Sequence, residues 1–157
     1  MQSRFWRHFV LGLLTPAAVG VLLAGGLYVA EMIAYPRQTP IPPSSANLVA
    51  GAQLYTEHCA FCHGLPGRPR SVAAQGEFPA PPQFFVHTDR LATGLLFFRI
   101  HKGLRLTSMP GFGSSLSDNQ IWQLALLIRH ARQLPPPAVA ALSAAPATAA
   151  PLAPVSN

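Results

Sequence analysis

Residues 59–63 read Cys59-Ala60-Phe61-Cys62-His63, and they hold both cysteines of the 157-residue chain. This C-x-x-C-H spacing is the one that attaches a c-type haem. Each thiol adds across one haem vinyl group to make a thioether. The histidine that follows at once falls beneath the iron as its proximal axial ligand. A thioredoxin-type C-x-x-C asks for a βαβ setting, and no strand pattern surrounds this one. A closed zinc site needs four protein ligands, so Cys59, Cys62 and His63 would have to recruit a distant histidine. A local disulfide accounts for neither His63 nor the methionine described below. The motif therefore reads as a covalent haem site, with iron as the metal.

Upstream of the motif, the pattern predicts a first helix from about Asn47 to Cys62, with Asn47 as its cap. Gly51 and Tyr55 stand eight and four residues before Cys59 on one face, and the glycine would let a second helix approach closely. Before that helix, Tyr35 to Ser45 contains Pro36, Pro40, Pro42 and Pro43, which predict an extended, semi-rigid linker. From Phe9 to Ala30 run 22 residues without a charge, enough for a helix to span a bilayer. Arg4 and Arg7 precede the run and Glu31 and Arg37 follow it. The positive-inside rule then places the N-terminus in the cytoplasm and the rest of the chain outside. The alternative is a cleaved signal peptide, whose apolar region is normally about 7–15 residues before an A-x-A-like site. The run here is longer and Ala24-Gly25-Gly26 is a poor cleavage site, so an uncleaved anchor is expected. Both readings put the motif on the same side of the membrane.

Downstream, Gly64 to Val86 is rich in Pro and Gly and reads as a loop region. A second helix is expected to begin between Thr88 and Thr93 and to end near Lys102, stopped by Gly103. It presents Leu95, Phe98 and Ile100 to a core. Then comes Thr107-Ser108-Met109-Pro110-Gly111-Phe112-Gly113, a Pro/Gly loop that suits a core methionine badly. Met109 is the only methionine beyond the apolar N-terminal stretch. Its thioether is a soft, neutral donor fit for the sixth position of haem iron, whereas a gap-filling methionine belongs on an apolar face. The competing donors are His58, His87, His101 and His130, with His87 and His101 the more credible and His58 expected to be exposed.

Ser117 and Gln120 form an S-x-x-Q capping box, with Leu116 and Ile121 placed as its hydrophobic staple. They predict a last helix carrying the apolar stripe Leu124, Leu127, Ile128 and Ala131, stopped by Pro135-Pro136-Pro137. The Ala/Pro-rich remainder to Asn157 lacks charge and aromatic residues and reads as a tail without fixed structure. The formal charge is +6, and between Asn47 and Leu134 cations outnumber carboxylates by four. The basic residues are scattered rather than clustered in runs, so nucleic acid is not implied.

These residues together resemble the class I cytochromes c, in particular small monohaem bacterial types with a membrane anchor. The resemblance covers roughly Asn47 to Leu134. It rests on Gly51 and Tyr55 before the motif, Gly64 after it, Pro81-Pro82, the helix ending at Gly103, Met109-Pro110-Gly111-Phe112-Gly113, and Leu116-Ser117-Asp118 leading into Ile121-Trp122. It implies an all-α fold around haem c, the first and last helices crossing at Gly51 so that Gly51 and Tyr55 pack on Leu124 and Leu127. Two departures stand out. Leu127 replaces a frequent aromatic, and Phe98 replaces a frequent Trp that donates to a haem propionate. Arg99, Arg105 or Arg70 would have to serve instead.

The expected organisation is a cytoplasmic N-terminus (1–8), a transmembrane anchor (9–34), a linker (35–46), a haem domain (47–134) and a tail (135–157). Cys59, Cys62, His63 and Met109 would bind the cofactor, with His63 and Met109 on the iron. The resemblance implies an electron carrier rather than an enzyme, working in the periplasm on the bacterial cytoplasmic membrane. Its partners would be the lipid bilayer and redox proteins: a dehydrogenase, a quinol-oxidising complex or a terminal oxidase. Two alternatives stay open: a haem enzyme or gas sensor with a labile Met ligand, and a fixed cytochrome subunit of a membrane oxidase or dehydrogenase.

Overall fold

The chain divides into two units, Met1–Pro36 and Arg37–Asn157. The computed structural model describes residues 16–35, 38–68, 71–86 and 91–144. In the first unit, α1 (Pro16–Ala34) has no buried residue, and Val21, Leu22, Leu23 and Leu27 are all exposed. A helix apolar all round belongs in a core or a membrane. Its 19 residues extend about 28 Å at 1.5 Å each, close to the ~30 Å of a bilayer's hydrocarbon. The helix fits a membrane anchor. The expected start of that anchor at residue 9 lies outside the described residues.

The second unit is all-α: α2 (Ser45–His58), α3 (Ala60–His63), α4 (Val72–Gln75), α5 (Thr93–Lys102), α6 (Asp118–Arg129) and α7 (Pro136–Ser143). Among the described residues there is no strand, only an isolated bridge between Leu65 and Arg68. α6 packs on α2 and on α5, and α2 packs also on α7. α6 starts where the capping box places it. The Ser117 side chain accepts from the Gln120 backbone and the Gln120 side chain accepts from the Ser117 backbone. Leu116 and Ile121 are both buried beside the cap. The helix ends at Arg129, so Ala131 of the expected stripe lies just past it.

The α2–α6 crossing depends on Gly51. A Cβ there would lie 2.9 Å from the carbonyl carbon of Gln123 and 3.2 Å from Leu127 Cβ. The two backbones are thus closer than any side chain allows, and Tyr55, Leu124 and Leu127 are completely buried around the contact. On the other side of α6, Trp122 stacks on Phe97 of α5 with ring centres 4.2 Å apart.

Three expectations are corrected. The first helix is capped by Ser44, whose side chain accepts from the Asn47 amide. Asn47 instead ties the linker to the domain, donating to Pro42 O (2.9 Å) and accepting from Gln123 Nε2 (3.3 Å). The expected continuous helix to Cys62 is broken at Cys59, which has φ −120°. The tail from Pro135 is ordered at its start, as α7. A proline at the first helical position removes an amide that has no partner there anyway. Ala138 and Leu142, one turn apart, are both buried where α7 packs on α2.

Candidate functional site

The last turn of α2 and the short α3 bring Cys59, Cys62 and His63 to the wall of one cleft. The backbone accounts for this locally. The Cys59 amide still donates to Tyr55 O (2.9 Å), and the Cys59 carbonyl accepts from both Cys62 (3.2 Å) and His63 (2.9 Å). Tyr55 braces the turn from behind. Its buried hydroxyl donates to Gly64 O at 2.9 Å, and its ring meets Phe85 edge-on at 5.2 Å. Burial holds the phenol well above its ordinary pKa of 10.0, which keeps it a neutral donor.

The loop from Pro79 to Phe84 holds His63. Its Nδ1 lies 2.8 Å from Pro82 O. A carbonyl can only accept, so Nδ1 carries a proton, and in the neutral imidazole that leaves the lone pair on Nε2. Such a bond is how an iron-ligating histidine has its tautomer and orientation set. The imidazole also stacks on Phe84, ring centres 4.7 Å apart at 26°.

A second loop brings Met109 to the same cleft. The last carbonyls of a helix have no partner within it. Here Ile100 O accepts from Phe112 N–H (2.9 Å) and His101 O from Gly113 N–H (3.0 Å), so the methionine loop closes the open end of α5. Leu104 N–H donates to Met109 O at 3.2 Å, and the Met109 amide donates to Thr107 Oγ1 at 3.2 Å. Gly103 is the pivot: its φ is +76°, and a Cβ there would sit 2.8 Å from Met109 O.

The cleft is open to solvent and is lined also by Leu96 and Ile100 of α5 and by Ile128 of α6. Its lining is mostly apolar, with Arg99 as a cation and Glu77 as a carboxylate on the wall. Burial, with Cys62 nearby, pushes the Cys59 thiol up to about 12. Burial, with Glu77 adding, also raises the Cys62 thiol. Both sulfurs are therefore neutral in this apolar setting. Conversion to thioethers removes the titrating proton altogether. Two neutral thiols with two residues between them, an imidazole whose Nδ1 is held by a carbonyl and a thioether on one apolar wall fit a covalent haem. No three His, Cys, Asp or Glu side chains converge as a metal cluster among the described residues.

All four expected site residues, Cys59, Cys62, His63 and Met109, meet at this cleft. Among the competitors, His58 also lines it, half-buried and tilted on Phe112 at 5.9 Å, where the sequence suggests exposure. His101 turns elsewhere: its ring stacks on Phe97 at 5.7 Å and its Nε2 is 3.8 Å from Asp118 Oδ1. His130 caps the C-terminal end of α6. His87 and Arg70 lie outside the described residues. Of the two described candidates for a propionate partner, Arg99 is on the cleft wall and Arg105 is exposed off it. Sequence reasoning missed Phe84, and a lone aromatic in a loop carries no signal for stacking on a distant histidine. Pro82 reads in the sequence as one of several loop prolines, with no signal for the reach of its carbonyl.

Residues 46–128, just over half of the chain, match the family described as cytochrome C oxidase, cbb3-type, subunit III. The match takes in every wall of the cleft and leaves α7 outside. A thiosulfate dehydrogenase of Stutzerimonas stutzeri (strain A1501) is 33% identical over 93 residues, 59% of this chain and 29% of that protein. A chain of the Kuenenia stuttgartiensis reducing HAO-like protein complex superposes with a TM-score of 0.53 at 27% identity, covering 62% of this chain and 49% of that one. The present chain thus spans under a third of the curated relative and about half of the solved chain. Because the family match falls on the segment that builds the cleft, the chain belongs to this family of c-type cytochromes: it is a redox cytochrome whose cofactor is covalently attached haem c.

Proposed function

We propose that this chain is a monohaem cytochrome that carries single electrons between redox partners at the outer face of the bacterial cytoplasmic membrane. In this reading Cys59 and Cys62 would hold the haem, His63 and Met109 would ligate its iron, and α1 would anchor the protein. One observation carries it: His63, with its Nδ1 proton held by Pro82, lines the same cleft as Met109 and both thiols. Bound there, the haem supplies a one-electron Fe(III)/Fe(II) couple. The chain's own residues do the rest. Pro82 fixes the tautomer of His63 and raises its basicity as a ligand. The Met109 thioether, a soft neutral donor, favours the ferrous state and raises the potential. With both residues as ligands, the site would suit one-electron exchange rather than binding of substrate or dioxygen. Arg99, on the wall, is placed to partner a propionate.

Electrons would pass through the cleft mouth to proteins docked by a small, weak interface. The names of the relatives support partners of the dehydrogenase or oxidase kind. A second reading, a fixed subunit of such a complex, is favoured by the match to a family described as an oxidase subunit. Co-purification of a large partner after mild detergent extraction would select it.

Ferric and ferrous spectra of the purified protein, with the Met109→Ala variant, test the proposal. The wild type should show the far-red charge-transfer band of Met-ligated ferric haem and should not bind carbon monoxide. Met109→Ala should lose the band, bind carbon monoxide and fall in potential. A wild type that lacks the band and binds carbon monoxide is instead a sensor or enzyme. A bis-histidine spectrum would move the sixth ligand to His58 or His87.

A further inference from the structure

Leu106 is the one residue other than glycine with a left-handed φ, +62°, among the described residues. It is also fully exposed, at 101% of its reference area. It is the third residue of a turn. Thr107 N–H donates to Leu104 O at 3.2 Å, and Thr107 Oγ1 donates to the same carbonyl at 2.7 Å. A left-handed third residue is what type II turns require, and Gly or Asn ordinarily supplies it. Leucine is unfavourable there because its Cβ crowds the following carbonyl oxygen. The conformation and the exposure both disfavour this residue, and neither is offset by burial. An outlier of this kind is grounds for a functional hypothesis.

The place of the turn indicates its use. Leu104, Thr107, Ser108 and Met109 all line the cleft, and Thr107 Oγ1 accepts from the Met109 amide. Leu106 therefore projects from the rim of the cofactor cleft on a turn closed by its own hydrogen bonds. The other rim does the same: Phe78 is 95% exposed between Glu77 and Pro79, which line the cleft. The segment from Arg99 to Met109 contains Arg99, Lys102 and Arg105 and no carboxylate. Against the single carboxylate of Glu77 on the opposite rim, those cations are in excess, which suits an acidic partner surface.

We propose that Leu106 is a docking residue for the redox partner, a protein whose electron-transfer face is an apolar patch bordered by carboxylates. The partner's patch would receive the exposed leucine, and its carboxylates would face Arg105 and Lys102. The inference rests on the electron-carrier reading above. A rigid, preorganised apolar projection loses little freedom on binding, which favours brief, specific encounters.

The test uses the haem-loaded full chain in detergent micelles, as wild type, Leu106→Gly and Leu106→Asn. Ferrous protein is mixed with two oxidants: a blue-copper protein whose apolar face has an acidic rim, and hexacyanoferrate(III). Each reaction transfers one electron, giving ferric protein with Cu(I) or hexacyanoferrate(II), and no atom or proton moves. Both variants should be at least as thermally stable as the wild type, since Gly and Asn accept the left-handed φ. Their second-order rate with the copper protein should fall about fivefold or more, the scale of truncating an interface anchor. Their rate with hexacyanoferrate should stay within about twofold, because a small ion needs no apolar docking. Equal rates with the copper protein in all three forms would overturn the proposal. So would an equal slowing with both oxidants, which would trace the effect to the iron rather than to docking. A wild type that reduces neither oxidant would fail earlier, at the electron-carrier reading itself.

Discussion

Replacing Gly51 by alanine sets two physical effects against each other. Helix propensity alone predicts a gain of about 0.5–1 kcal/mol, because glycine in a helix interior is less favourable than alanine by that amount. The crossing predicts the opposite. The new Cβ would lie 2.9 Å from the Gln123 carbonyl carbon and 3.2 Å from Leu127 Cβ. The nearer atom is backbone in the middle of α6, so no rotamer change relieves the contact and the helices must separate. Overpacking of this kind costs about 1–3 kcal/mol, and contact with backbone places Gly51→Ala near the top of that range. The net loss is then roughly 2 kcal/mol after the propensity gain. For a domain of this size that lowers the thermal midpoint by on the order of 10 °C. Far-ultraviolet circular dichroism of the haem-loaded protein during a thermal scan reads it directly. The companion variant Gly51→Ala with Leu127→Ala should be no better, since trimming Leu127 leaves the Gln123 backbone in place. A Gly51→Ala protein as stable as the wild type, or more so, would refute the backbone-contact account and leave propensity as the governing effect.

Two further substitutions test other parts of the domain. Leu142 is fully buried on a helix where the sequence suggests a loose tail, so Leu142→Ala should cost about 2–5 kcal/mol in denaturant unfolding; an unchanged midpoint would mean that α7 does not pack. Tyr55→Phe should cost about 1–3 kcal/mol near neutral pH by leaving the buried Gly64 carbonyl without its donor. The pH dependence has a definite sign. Burial raises the folded phenol above the unfolded value of 10.0, so its contribution is complete below pH 10 and is lost as pH rises towards the folded value. The deficit of Tyr55→Phe should therefore shrink above pH 10, and a constant deficit would contradict the burial of the hydroxyl.

What the sequence determined by itself was local. Cys59, Cys62 and His63 lie within one turn, so their spacing already states their chemistry. Ser117 and Gln120 satisfy each other across three residues and mark the start of α6 without reference to anything distant. Gly103 and Gly51 could be read as a stop and a crossing because only glycine suits those positions. Met109 could be singled out because its neighbours exclude a helix. Other features needed the fold, because they join segments whose separation along the chain carries no pattern. The Pro82 carbonyl reaches His63 from 19 residues away, and Gln123 reaches Asn47 from 76. The sequence favours His101 over His58 as a donor, and the fold reverses that order. One is turned to Asp118 and Phe97 while the other stands on the cleft wall, because α5 and α2 present different faces once both pack on α6. The helix after Pro135 is too short to be stable alone and exists because α2 offers Ala138 and Leu142 a surface to bury against. Leu106 reads as an ordinary leucine until the turn places it, left-handed and fully exposed, at the rim of the cofactor cleft. A backbone angle and an exposure belong to the folded chain and not to any run of residues.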